Sequence, residues 1–236
     1  MQDSPFMQGR WFDLTHELNE IIPVWPGSVR FSRELKVDYD KYGFRVYSYH
    51  SAQGIGTHID APSHVVAGGR SINNFVLEDW ISPACVIDVR RQVAQKPDYQ
   101  LSVADLADWE DQYGKLPARA LVLCCTGWDQ YWKNEQQYRN ADQSGLMHFP
   151  GFSKAAVNEL LKRDITGIGI DTFSLDPGNS VDYAVHHLLL GAGKYQIENL
   201  TNLASLPAVG AWVLALPIKV SDGPEAPARV VAWCPN

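Results

Sequence analysis

Two imidazoles and a carboxylate fall within seven residues, His58 to His64, in the run Gly56-Thr57-His58-Ile59-Asp60-Ala61-Pro62-Ser63-His64. Imidazole nitrogen and carboxylate oxygen together suit a divalent transition ion. In an extended segment, residues two apart share a face, so His58 and Asp60 can reach one ion. His64 lies four residues further on, past the stiffening Pro62, and need not share that shell. Imidazoles titrate near neutral pH, which suits a group that takes up a proton and returns it. An ion such as Zn²⁺ or Mn²⁺ lowers the pKa of water to roughly 7 and so prepares a nucleophile for a carbonyl. On spacing alone, the same run also fits a hydrogen-bonded turn with two incidental histidines.

Those side chains need elements to hold them. Phe44 to Tyr49 alternates like a strand leading into the motif. Ala84 to Val89, Ala120 to Cys125 and Ile165 to Ile170 read as buried strands. Ala211 to Leu216 reads as another, stopped by Pro217, and Arg229 to Trp233 closes the set. Ser102 can cap a helix over Val103 to Tyr113, with Asp105 in its first turn and Gly114 at its end. Ser153 can cap Lys154 to Arg163, where Ala156, Leu160 and Leu161 form the apolar stripe. A third helix is expected from near Asp182 to Gly191. The segment 221–228 is the most turn-rich stretch and too short to divide domains. The pattern predicts one α/β domain with a mixed sheet over residues 1–236.

At 236 residues, with 45% hydrophobic and 20% charged side chains, the chain can bury a large core. A net charge of -7 argues against nucleic acid as a partner, since phosphate binding needs a basic surface. No apolar run is long enough for a membrane span. The start, Met1 to Phe6, lacks the basic and apolar regions of a signal peptide, so a cytoplasmic protein is expected. The four cysteines, Cys85, Cys124, Cys125 and Cys234, form no C-x-x-C pair and read as buried free thiols. A redox role for Cys124-Cys125 is the competing reading.

The His58 run resembles the H-x-G-T-H-x-D-x-P-x-H signature of the metal-dependent cyclase hydrolases, whose members include kynurenine formamidases and isatin hydrolases. Asp13-Leu14-Thr15-His16 and Pro23-Val24-Trp25-Pro26-Gly27 resemble the family's opening strand and substrate-side loop. Gly169 to Asp176, His186-His187 and Glu198-Asn199-Leu200 follow in the family's order. The resemblance spans about residues 11–232. It implies a compact, partly closed β-barrel-like sheet flanked by helices, the swivelling β/β/α fold. It also implies that His58, Asp60, His186 and Glu198 are metal ligands, that the carboxylates can bridge two ions, and that His64 is the general acid and base. Trp25 matches a substrate-contacting position; core packing is the alternative. The expected reaction is hydrolysis of an amide C–N bond, linear or cyclic, in a small aromatic acid derivative. A lactone or other ester would suit the same site. A homo-oligomer is expected by the same analogy.

One position departs from the pattern. The family places a histidine four residues before His58, and here that residue is Gly54. His50 and, more weakly, Gln53 are candidate substitute ligands. The loss makes a mononuclear centre compatible with the sequence and motivates a third reading, a metal- or ligand-binding protein with impaired turnover. His187, adjacent to His186, points about 100° away on a helix and reads as supporting. His16, His148 and Trp128 read as packing or loop residues. Asp171 and Asp176 read as ordinary turn formers and stay outside the expected site.

Overall fold

Seven strands of the computed structural model, which describes residues 8–236, close into a barrel. In chain order the strands are β1 (Arg10–Asp13), β2 (Ser32–Val37), β3 (Val46–His50), β4 (His58–Asp60), β5 (Ile81–Asp88) and β6 (Gln100–Leu101). They continue with β7 (Ala120–Cys125), β8 (Gly151–Phe152), β9 (Ile165–Ile170), β10 (Tyr195–Glu198), β11 (Trp212–Pro217) and β12 (Glu225–Cys234). The ring runs β12-β11-β5-β7-β9-β10-β4 and returns to β12, with β1 added antiparallel along β12. The four strands β5, β7, β9 and β10 are parallel; the remaining ring pairings are antiparallel. The expected mixed sheet is therefore present, and its closure is complete where a partly closed one was expected.

The helices are α1 (Tyr39–Tyr42), α2 (Arg90–Gln95), α3 (Val103–Tyr113), α4 (Glu135–Arg139), α5 (Lys154–Leu161) and α6 (Ala184–Gly191). Around α3 the capping logic holds in detail. Ser102 accepts from the Asp105 backbone, and Asp105 accepts from the Ser102 backbone at 2.7 Å. α5 ends two residues early, at Leu161, and buries Ala156, Val157 and Leu160. α6 starts at Ala184 because Tyr183 adopts a left-handed backbone, φ 46°, which helical residues cannot share.

β7 shows why the barrel is stable. All six of its residues are buried, as a central strand covered on both faces requires. Leu121, Leu123 and Cys125 point into the barrel with Ile59, Ile197, Val213 and Val230. Val122 and Cys124 point outward into a second core beneath α3, α5 and α6. Each such aliphatic side chain contributes about 1.5–3 kcal/mol by burial. Gly169 is required on the inside: a Cβ there would sit 2.8 Å from Leu123 Cδ2 and 2.9 Å from Leu200 Cδ1.

Two expectations change. The strand read from Phe44 is β3, which starts at Val46 and pairs with β2 in a separate hairpin. Its residues are exposed on both faces, so its alternation does not reflect a buried side. The turn-rich stretch 221–228 contains the first residues of β12. Pro227 is tolerated because the bonds to the β4 edge come from the Pro224 carbonyl and the Ala228 N–H, which meet Ala61 and Thr57. No helix among the described residues is long and apolar enough to cross a membrane. Met1 to Phe6, read for a signal peptide, lie outside the described residues.

Candidate active site and metal centre

β4 lies between β10 and β12, and the pairing register lines up the polar groups. Asp60 stands opposite Gln196 on one side and Glu225 on the other, while His58 stands opposite Glu198 and Pro227. Directly opposed residues share a face of a sheet. The intervening Ile59, Ile197 and Ala226 fill the barrel, so the polar set faces outward beneath α6. His58, Asp60, His186 and Glu198 are all buried.

His58 Nε2 lies 3.4 Å from Asp60 Oδ1 and 3.3 Å from Glu198 Oε2. His186 Nε2 lies 3.3 Å from Glu198 Oε1 and 3.7 Å from Asp60 Oδ2. The other ring nitrogens are anchored. His58 Nδ1 donates to the Gly56 carbonyl at 2.9 Å, which fixes the tautomer and turns Nε2 toward the carboxylates. His186 Nδ1 donates to Asp176 at 2.7 Å. Asp176 also accepts from the Val185 and His186 backbone N–H groups, so it caps α6 and aims His186 at once. Gln196 Nε2 donates to Asp60 at 2.7 Å and to Glu198 at 3.0 Å and holds the two carboxylates together.

His64 ends the short turn Pro62–His64. Its ring centroid is 6.0 Å from that of His186, and 33% of its side chain is accessible. A nitrogen of His64 comes together with Asp60 and His186 in a group whose donor atoms all lie within 4.8 Å. These residues line a cavity of about 360 Å³ whose apolar wall includes Trp25 and Phe173. Trp25 packs edge-on against Phe149 and Phe173, with centroids 6.5 and 6.1 Å apart, so it serves core and cavity together.

The electrostatics call for a cation. Burial opposes protonation of His58, yet Asp60 and Glu198 raise its pKa to about 10. Burial likewise opposes protonation of His186, while Asp176 and Glu198 raise it to about 11. Burial and the Glu198 charge push Asp60 up to about 6. Glu198 is held at about 2, against burial, by His186 and His58. Among the described residues, no lysine or arginine lines the cavity. Positive charge must come from imidazolium protons or from a metal ion. Asp60 Oδ1 is buried with no hydrogen-bond partner among the described residues. An orphaned carboxylate oxygen beside anchored imidazoles fits a divalent ion.

The structure thus gathers His58, Asp60, His186 and Glu198, with His64 and Trp25 on the same cavity. It does not bring in the substitutes for residue 54. His50 is exposed at the end of β3, and Gln53 is exposed beside the cavity without lining it. Asp176 belongs to the site after all; its partner lies ten residues along the chain, which turn chemistry alone does not reveal. Gln196 and Glu225 were also missed. Gln196 is two residues from Glu198 on one strand, a signal that the sequence does carry. Asn199 follows Glu198 at the end of β10. Its side chain donates to Gly56 O at 2.9 Å and accepts from the Tyr138 hydroxyl at 2.9 Å.

The remaining residues have structural tasks. His16 stacks on Trp132 with centroids 4.0 Å apart. His148 pairs with Asp98 at 2.7 Å, away from the cavity. Trp128 is buried and donates to the Tyr138 carbonyl. Asp171, read as a turn former, is buried and accepts from Thr126 and Gly127 at the end of β7, tying two distant segments together outside the cavity. His187 lines the cavity mouth and is exposed. Cys124 and Cys125 are free, and they lie in the two different cores on opposite faces of β7. Burial drives both thiols upward in pKa, which removes the thiolate that redox chemistry needs.

A closed α/β barrel thus carries a buried imidazole–carboxylate centre with an accessible histidine beside it. The family model described as "Putative cyclase" matches residues 12–177, and the chain belongs to that family. An isatin hydrolase from Roseibium aggregatum is 32% identical over 189 residues, covering 77% of this chain and 72% of the relative. A kynurenine formamidase from Salinibacter ruber is 26% identical over 93% of this chain and 95% of its own length. The solved structure of isatin hydrolase A from Ralstonia solanacearum superposes with a TM-score of 0.90 at 33% identity, covering 96% of this chain and 92% of that one.

Proposed function

We propose that this protein is a metal-dependent hydrolase that opens a non-peptide amide C–N bond, linear or cyclic, in a small aromatic acid derivative. The convergence of His58, Asp60, His186 and Glu198 on a cavity that His64 also enters carries this reading. The names of the similar isatin hydrolase and kynurenine formamidase support the substrate class.

In this reading the four residues hold Zn²⁺ or Mn²⁺. A bound ion supplies Lewis acidity, polarising the carbonyl oxygen and lowering the pKa of water to roughly 7. The chain's own residues do the rest. His58 and His186, each pinned through Nδ1, present Nε2 without reorganisation. His64 takes the proton from water and returns it to the leaving nitrogen. Trp25 and Phe173 offer faces and edges to an aromatic ring and exclude water around it. The same arrangement serves an ester or lactone carbonyl, so the test panel includes both. The β2–β3 arm exposes Leu35, Tyr47 and Tyr49, an apolar surface that supports a homo-oligomer. Sedimentation at several concentrations measures it.

The test is turnover of a panel of aryl formamides, cyclic aryl amides and aryl lactones by protein reconstituted with Mn²⁺ or Zn²⁺. Amide hydrolysis that falls by about 10²–10⁴-fold in His64→Ala, with metal content retained, is the expected result. Metal-loaded protein that turns over no member of the panel would leave only the binding-protein reading standing.

A further inference from the structure

Glu225 has no counterpart among the ligands expected from the sequence, yet it stands in the donor row. Its partner across the sheet is Asp60. A nitrogen of His58 and carboxylate oxygens of Asp60 and Glu225 all lie within 4.8 Å of one another. The carboxylate occupies space into which a side chain at residue 54 would project. A Cβ built on Gly54 would run into Glu225 Oε1, and it would lie 3.2 Å from His58 Nε2. Gly54 and Glu225 therefore contend for one place beside His58, and in this chain the carboxylate has it.

The two oxygens of Asp60 divide the site. Oδ2 accepts from Gln196 and faces His186 at 3.7 Å. Oδ1 faces His58 at 3.4 Å and is the buried oxygen without a hydrogen bond. The unsatisfied atom is thus on the side where Glu225 enters. Glu225 Oε2 lies 3.7 Å from His64 Nδ1, which leaves Oε1 as the oxygen on the His58 side. Carboxylate, imidazole and orphaned carboxylate oxygen form a donor set for a divalent cation.

We propose that Glu225 is a metal ligand, acting with His58 and Asp60, and that Gly54 is the residue that admits it. The proposal rests on the reading of this site as a metal centre. It answers the question posed by the missing side chain at 54 with a residue from the far end of the chain, where His50 and Gln53 fail to reach.

The test measures Mn²⁺ and Zn²⁺ affinity by calorimetry on chelator-stripped full-length protein, with elemental analysis of metal per chain and thermal melts to confirm folding. Glu225→Ala and Glu225→Gln are expected to weaken binding by about 100-fold or more, since a direct ligand costs at least as much as an outer partner, whose loss costs about 10–100-fold. Gly54→Ala removes no donor, yet it should weaken binding by a similar factor because its methyl displaces the carboxylate. In the Gly54→Ala/Glu225→Ala double variant, the Gly54 change should add far less than it costs alone, since the carboxylate is gone and only the 3.2 Å approach to His58 Nε2 remains. Binding by Glu225→Ala equal to wild type, alongside loss in His58→Ala, overturns the proposal and leaves the metal centre intact. Independent, additive losses from the two positions also overturn it. Absence of binding by the wild-type protein sinks the metal reading itself.

Discussion

His186 Nδ1 and the Asp176 carboxylate lie 2.7 Å apart, and the same carboxylate accepts the backbone N–H groups of Val185 and His186. One side chain thereby fixes a helix start, a tautomer and a ring orientation. Asp176→Asn keeps the shape but cannot accept from all three donors with a full negative charge. Metal affinity should drop about 10–100-fold with little change in the far-UV circular dichroism. Isothermal titration of the stripped protein with Mn²⁺ checks it, and unchanged affinity would relegate Asp176 to helix capping.

Metal removal should soften the fold. Asp60, Glu198 and Glu225 share one face of the barrel, and a bound ion stabilises the native state by mass action. At 100 times the dissociation constant this contributes about 2.7 kcal/mol. For a chain of this length that corresponds to a fall in melting temperature of about 5–10 °C on chelation. Differential scanning calorimetry before and after EDTA, then after adding back the ion, reads the shift.

His16 should give stability a pH dependence of its own. Burial lowers its pKa to about 4, although Asp129 and the Leu200 backbone raise it. The unfolded chain, with a value near 6.5, binds this proton first. Stability from a neutral His16 is therefore complete above about pH 6.5 and drains away as pH falls toward 4. For a half-buried group the loss is on the order of 2 kcal/mol. His16→Phe keeps a ring against Trp132 without titrating. Urea unfolding at pH 7 and at pH 4.5 should show a smaller drop for the variant than for the wild type.

Glu110 ties α3 to the turn that follows α5. It accepts from Arg163 Nε at 2.9 Å and Nη2 at 2.8 Å, and only 6% of its side chain is exposed. Arg163, against the opposing cost of burial and with help from Lys115, holds its carboxyl at about 2. This contribution is present above about pH 4.5 and disappears as pH falls through about 2. Glu110→Gln leaves the partly exposed Arg163 with only the Glu159 carboxylate, 3.8 Å away, and should cost about 1–2 kcal/mol, read as a lower urea midpoint at pH 7.

The strands that build the barrel were legible because they are buried on both faces, and Ile165–Ile170 and Ala120–Cys125 appear where their apolar runs lie. Closure of the ring was not legible, since it depends on β12 reaching β4 across the whole fold. Site residues within one short run, His58, Asp60 and His64, could be read from spacing. His186 and Glu198 needed a family pattern. Asp176 and Glu225 were hidden for a physical reason: each looks like turn chemistry in its own neighbourhood, and only packing supplies the partner. The Pro-rich surroundings of Glu225 disguised a strand whose proline faces away from the β4 rungs.

The donor row Gln196–Asp60–Glu225 crosses three strands drawn from separate regions of the polypeptide. During synthesis, a ribosome-bound chain that has extruded β4 offers His58 and Asp60 but none of their distant companions. The full row comes into being only once β12 has paired beside β4, so its assembly requires the sheet to close.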